Sequence, residues 1–122
     1  MKELSEVEKS WLACFIDTDG GIHIEHRECR DHTPSHKWVQ IRIYFVNTDR
    51  NLIEQASKLT EKPVRVMTHF EGQHYGSKPV FRVVVTKNSE VEFLLSQVIP
   101  YLIAKRDKAI EAMKNVKVRR RL

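Results

Sequence analysis

The sequence predicts an α+β domain of order αββαββα, a four-stranded antiparallel sheet with its helices on one face. Two observations carry this. Apolar residues recur at every second position in four segments, which pair off around turn-rich stretches into two hairpins. Around those hairpins the spacing changes to that of amphipathic helices, two of them opened by Ser-x-x-Glu capping boxes. The 122 residues suit one domain, 1–122, with one modest core. A content of 41% hydrophobic and 30% charged residues excludes a disordered chain.

Ser5 with Glu8 starts the first helix near Glu6. Val7, Trp11 and Phe15 form one stripe along it, and Leu12, Ala13 and Ile16 widen the apolar surface to nearly the full circumference. One side suits the chain's own core. The other asks for a partner, which in a chain this short implies a dimer packed through Trp11, Leu12, Ala13, Cys14, Ile16 and Asp17.

From Gly21 to Arg30 the chain alternates, with Ile22 and Ile24 opposite His23, Glu25 and Arg27. Lys37 to Val46 alternates again, placing Val39, Ile41, Ile43 and Phe45 inward. Asp31-His32-Thr33-Pro34-Ser35 forms the turn between them. Asn47-Thr48-Asp49 caps a second helix through Leu52, Ile53, Ala56 and Leu59, which Pro63 closes. Val64 to Phe70 and Val80 to Thr86 make the second hairpin. Ser89 with Glu92 opens the last helix, broken or restarted at Pro100, and 119–122 reads as a frayed basic tail.

This order leaves one sheet face bare of helices. Its side chains are His23, Glu25, Arg27, Trp38, Gln40, Arg42, Tyr44, Arg65, Met67, His69 and Arg82. The set is basic, carries two aromatic rings and offers groups able to read base edges. The arginines suit guanine or phosphate, and Gln40 suits adenine. Eight residues of strand cover roughly 26 Å, about eight base pairs of groove. A net charge of +5 favours a polyanionic partner in the same sense. No apolar run approaches the roughly 20 residues of a membrane span. The polar N-terminus has no signal-peptide pattern, and two cysteines make no disulfide framework, so an intracellular protein is expected.

The most informative stretch is Leu12-Ala13-Cys14-Phe15-Ile16-Asp17-Thr18-Asp19-Gly20. An apolar helical turn runs into two carboxylates and a glycine pair. Carboxylates at the end of a buried helix need something cationic to meet them, and a metal ion is the natural candidate. The stretch resembles the motif of the LAGLIDADG homing endonucleases at Leu12, Ala13, Ile16, Asp17, Asp19 and Gly20. Cys14 departs from the small glycine usual at its position.

The resemblance implies a site-specific DNA endonuclease cutting both strands to leave 5′-phosphate and 3′-hydroxyl ends. It implies Asp19 and the Thr18 carbonyl as ligands of Mg²⁺, with Mn²⁺ as a substitute, and Asp17 as a structural acid at the helix end. Asn47 matches a polar residue of the active-site water network, and Lys105 a basic residue beside the scissile phosphate. Arg50 is a further candidate for that basic pocket. One motif copy per chain implies a homodimer on a long near-palindromic duplex site, with an intron-encoded origin. The same fold also serves intron RNA-binding maturases and DNA-binding proteins that have lost cleavage. His26, Cys29, His32 and His36 could form a zinc site, but strand alternation sends His26 and Cys29 to opposite faces, so zinc is disfavoured.

Overall fold

In the computed structural model the chain runs α1 (Glu6–Thr18), β1 (Gly20–Cys29), β2 (His36–Asn47), α2 (Arg50–Thr60), β3 (Arg65–Met67), β4 (Val80–Val85), α3 (Asn88–Val98) and α4 (Arg106–Arg120). A 3₁₀ turn, Ile99–Tyr101, joins the last two helices at Pro100. The structure describes residues 1–29, 36–67 and 79–120. The sheet is fully antiparallel in the order β1-β2-β4-β3. The expected frayed tail is helical through Arg120, and 121–122 fall outside the described residues.

Alternation decides which face is core. Ile22, Ile41, Ile43 and Phe45 of the first hairpin and Phe81, Val83 and Val85 of β4 are buried under the helices. They meet Leu12, Phe15 and Ile16 of α1, Ile53 and Leu59 of α2, and Val91, Leu94 and Leu95 of α3. Full burial of each large side chain is worth about 1.5–3 kcal/mol. Phe15 links α1 to the sheet, with Trp11 and Phe45 each 5.5 Å away between ring centroids.

The first capping box forms as expected. Glu8 N–H donates to Ser5 Oγ at 3.2 Å, and Ser5 N–H donates to Glu8 Oε1 at 2.9 Å. Hydrogen bonding from the Ser5 amide, then from the Ser5 side chain, holds the Glu8 carboxyl below its ordinary value. The second box does not form. Helix α3 begins two residues early, with Lys87 as its N-cap and Val91 N–H bonded to the Lys87 carbonyl, so Ser89 lies inside the first turn. Buried Val91, Leu94 and Leu95 set that start more strongly than the local cap.

At the α1–β1 junction the chain passes against Tyr44. A Cβ on Gly20 would overlap the Tyr44 carbonyl oxygen, and one on Gly21 the Tyr44 hydroxyl. The glycine pair therefore brings the end of α1 onto β2 with no side chain between them. Among the described residues no helix is long and apolar enough to cross a membrane.

Candidate active site and nucleic-acid interface

The two carboxylates that end α1 do different things. Asp17 is half-buried and accepts two backbone amides, Ile103 N–H at 2.8 Å and Lys105 N–H at 3.0 Å. It pins the segment entering α4 to the end of α1. Asp19 is the exposed C-cap, its amide bonded to the Phe15 carbonyl at 3.0 Å. Asp19 thus stands at the surface of a single chain. The Thr18 carbonyl belongs to the last helical turn, where no intrahelical amide follows to claim it. The Thr18 hydroxyl is spent on the Cys14 carbonyl at 2.9 Å.

Asn47, at the end of β2, reaches across to this acid. Its Nδ2 donates to Asp19 Oδ2 at 3.0 Å, while its Oδ1 accepts Asp49 N–H at 2.8 Å. Because the turn claims the amide oxygen, the amide nitrogen faces Asp19. Asp49 in turn caps α2 through Asn51 N–H at 2.9 Å. Lys105 Nζ donates to the carbonyls of Ile16 at 2.7 Å and Gly20 at 2.6 Å. An ammonium on the carbonyl end of α1 is favourably placed against the helix dipole. Among the described residues two of its three donors are used, leaving one. Arg50 is turned away, paired with Glu54 at 2.9 Å and stacked over Phe81 at 5.6 Å.

Among the described residues no three His, Cys, Asp or Glu side chains gather into a metal-binding group. The donors at the α1 terminus are oxygens only, which suits a hard divalent cation. Of the residues weighed for zinc, His32 and the side chains of Cys29 and His36 lie outside the described residues.

The bare sheet face is assembled as the alternation requires. Register pairs His23 with Arg42, Glu25 with Gln40 and Arg27 with Trp38, placing all six on one side. Tyr44 continues that row opposite Gly21, and Arg65 lies opposite Arg82 at the far edge, with Met67 beyond it. His69 lies outside the described residues. Glu25, the one acid among that face's described residues, meets Arg27 at 3.1 Å and Arg42 at 3.5 Å. The Arg27 hydrogen bond is the main reason its carboxyl is held below the ordinary value, with both guanidinium charges and His23 adding to it.

The proposed helix interface needs correction. Leu12, Ala13 and Ile16 are 0% exposed within the chain's own core and have no side-chain surface left for a partner. Trp11 is half-buried against Phe15. Helix α1 instead presents Val7, Ser10, Cys14 and Thr18 outward, a stripe at helical spacing. Val7 is 78% exposed, and beside the helix end Ile103 is 86% exposed.

No family model matches the chain, and no curated protein does. Solved structures do. The homing endonuclease I-CvuI, in complex with its target in the presence of Ca, superposes with a TM-score of 0.70 at 20% identity, over 91% of this chain and 66% of that one. The fold is that of the LAGLIDADG homing endonucleases. The homing endonuclease I-TnaI matches at TM-score 0.68 and 14% identity, over 98% of this chain and 76% of its own. The LAGLIDADG homing endonuclease I-SmaMI bound to cleaved DNA matches at 0.70 and 12% identity, over 99% of this chain but 39% of its own. The chain therefore spans about two thirds of the first of these and well under half of the last.

Within this LAGLIDADG fold, sequence reasoning brought Asp19, Asn47 and Lys105 to one place. It missed three connections. Nothing local signals that Asp17 holds amides 86 and 88 residues away or that Lys105 docks on α1. The role of Glu25 had a signal, a lone acid in a basic row.

Proposed function

We propose that the protein is a divalent-metal-dependent, site-specific DNA endonuclease acting as a homodimer. The observation carrying this reading is the Asn47–Asp19 hydrogen bond at the carbonyl end of α1, where Lys105 is also anchored. That cluster adjoins a basic sheet face on the fold of DNA-bound homing endonucleases.

Asp19 and the Thr18 carbonyl would hold the ion. A divalent ion there supplies charge neutralisation at the phosphate and an activated water. Asn47 orients the Asp19 carboxylate and fixes which of its oxygens stays open. The remaining Lys105 donor is directed to charge developing on the phosphate. The two hydrogen bonds that Lys105 makes with α1 keep it from swinging free, so that interaction needs little rearrangement.

One chain brings one Asp19, and cutting two strands calls for two. The occupant proposed for the outward stripe of α1 is a second copy of the chain. Val7, Ser10, Cys14 and Thr18 carry no charge, and Ile103 extends the apolar surface beside them. A two-fold pair places each sheet on one half-site of a near-palindromic duplex. Cys14 sets a wider helix approach than glycine would.

The test is cleavage of a randomised duplex-DNA library in Mg²⁺, with EDTA as control. The expected result is cutting at one enriched near-palindrome that EDTA abolishes. An uncut library, with protein that binds structured RNA instead, would overturn the endonuclease reading.

A further inference from the structure

The two halves of the sheet face treat their arginines differently. In the β1–β2 half, Glu25 holds Arg27 and Arg42. In the β3–β4 half, Arg65 and Arg82 are direct cross-strand partners, so both rise from the same face. Neither meets an acid among the described residues. Like charges placed directly opposite weaken a ladder. Arg82 Nε is also buried with no hydrogen-bond partner among the described residues, a further cost. Both side chains line an open groove of about 430 Å³ together with Gln40, Arg42, Lys62 and Thr86. Lys62 is already committed to Glu90, 2.5 Å away.

We infer that Arg65 and Arg82 together clamp one phosphodiester of bound duplex DNA, while base reading falls to the Glu25-held pair Arg27 and Arg42. This rests on the DNA-binding reading above. Two guanidinium forks fit phosphate oxygens, and an anion between their exposed ends cancels the cross-strand repulsion. A base edge carries no net charge and would leave the repulsion in place. The β1–β2 half is the converse. Glu25 would repel a phosphate, yet it fixes the arginine forks beside Gln40 as ready donors for guanine.

The experiment measures binding to a duplex library in Ca²⁺ at several salt concentrations, for wild type, Arg65→Gln, Arg82→Gln and Arg42→Gln. Removing either clamp arginine should weaken all sequences alike, about ten-fold, and leave base preferences unchanged. The slope of log affinity against log salt should fall by about 0.9 for each phosphate that is no longer neutralised. Arg82→Lys, which keeps the charge, should recover most of that slope. Arg42→Gln should instead relax the preference at one symmetric pair of positions. A changed base preference in Arg82→Gln with its salt slope intact would overturn the assignment.

A second arm needs no DNA. Inorganic phosphate should raise the wild-type melting temperature above that in chloride of equal ionic strength, and the double glutamine variant should lose the difference. If wild type binds no duplex, the endonuclease reading falls and this arm decides the clamp alone. A phosphate effect that survives in the double variant, or none in wild type, would overturn it.

Discussion

The end of α1 and the bare sheet face are both polar surfaces of one small domain, but they are built by opposite rules. At the helix end nearly every polar group has an assigned partner. Asp17 takes two amides, Asn47 is locked between Asp49 and Asp19, and Lys105 spans two carbonyls. Among the described residues what stays open is narrow: the second Asp19 oxygen, the Thr18 carbonyl and one ammonium donor of Lys105. On the sheet face the charges are crowded and only partly compensated, with Arg65 and Arg82 facing each other and no acid between them among the described residues. Fixed geometry suits bond breaking, where a small displacement is costly. Uncompensated charge suits long-range capture of a polyanion, where salt dependence is the signature.

That contrast can be broken at single residues. Lys105→Ala should slow cleavage by about 10²–10³-fold while leaving site preference alone, measured by single-turnover cleavage of the selected duplex. An unchanged rate would remove Lys105 from the reaction. Asn47→Ala should cost about 10–100-fold in rate, since it orients Asp19 without itself touching the phosphate. Its metal dependence should shift to higher Mg²⁺, and an unshifted titration would make Asn47 a purely structural residue.

Asp17→Ala is expected to act on stability. Leaving the Ile103 and Lys105 amides without their acceptor should cost about 2 kcal/mol, read as a melting temperature lowered by several degrees. A variant that melts like wild type but no longer cuts would reverse the roles given to the two acids. The smallest effect sharpens the sheet side. Arg27→Gln should let the Glu25 carboxyl rise toward its ordinary value, followed by carbon NMR against pH. Because that carboxyl is depressed, its pairing is present above the ordinary value and lost as pH falls through the lowered one. An unmoved titration would mean that Arg27 does not hold it.

Much of this was readable in the sequence, for identifiable reasons. Period-two alternation placed Ile22, Ile41, Ile43 and Phe45 inward and the basic row outward, because a strand leaves no other choice. The Ser5–Glu8 box was legible because both halves of the cap are local. The Ser89–Glu92 box looked the same but lost to the burial of Val91, Leu94 and Leu95, which no four-residue pattern can weigh. The apolar circumference of α1 suits the chain's own core on one side and a second chain on the other, but periodicity does not say which residues go where, and Leu12, Ala13 and Ile16 are consumed by the core. Separating Asp17 from Asp19 by geometry needed hydrogen bonds spanning most of the chain, and only the folded structure supplies them.

The most direct measurement is Mg²⁺-dependent cleavage of the selected duplex by Asp19→Asn, on protein whose melting temperature matches wild type. The account predicts a variant that binds the site and cuts at least about 10³-fold more slowly, because the substitution removes the carboxylate proposed to hold the ion. Cutting at the wild-type rate would place the chemistry elsewhere and contradict the account.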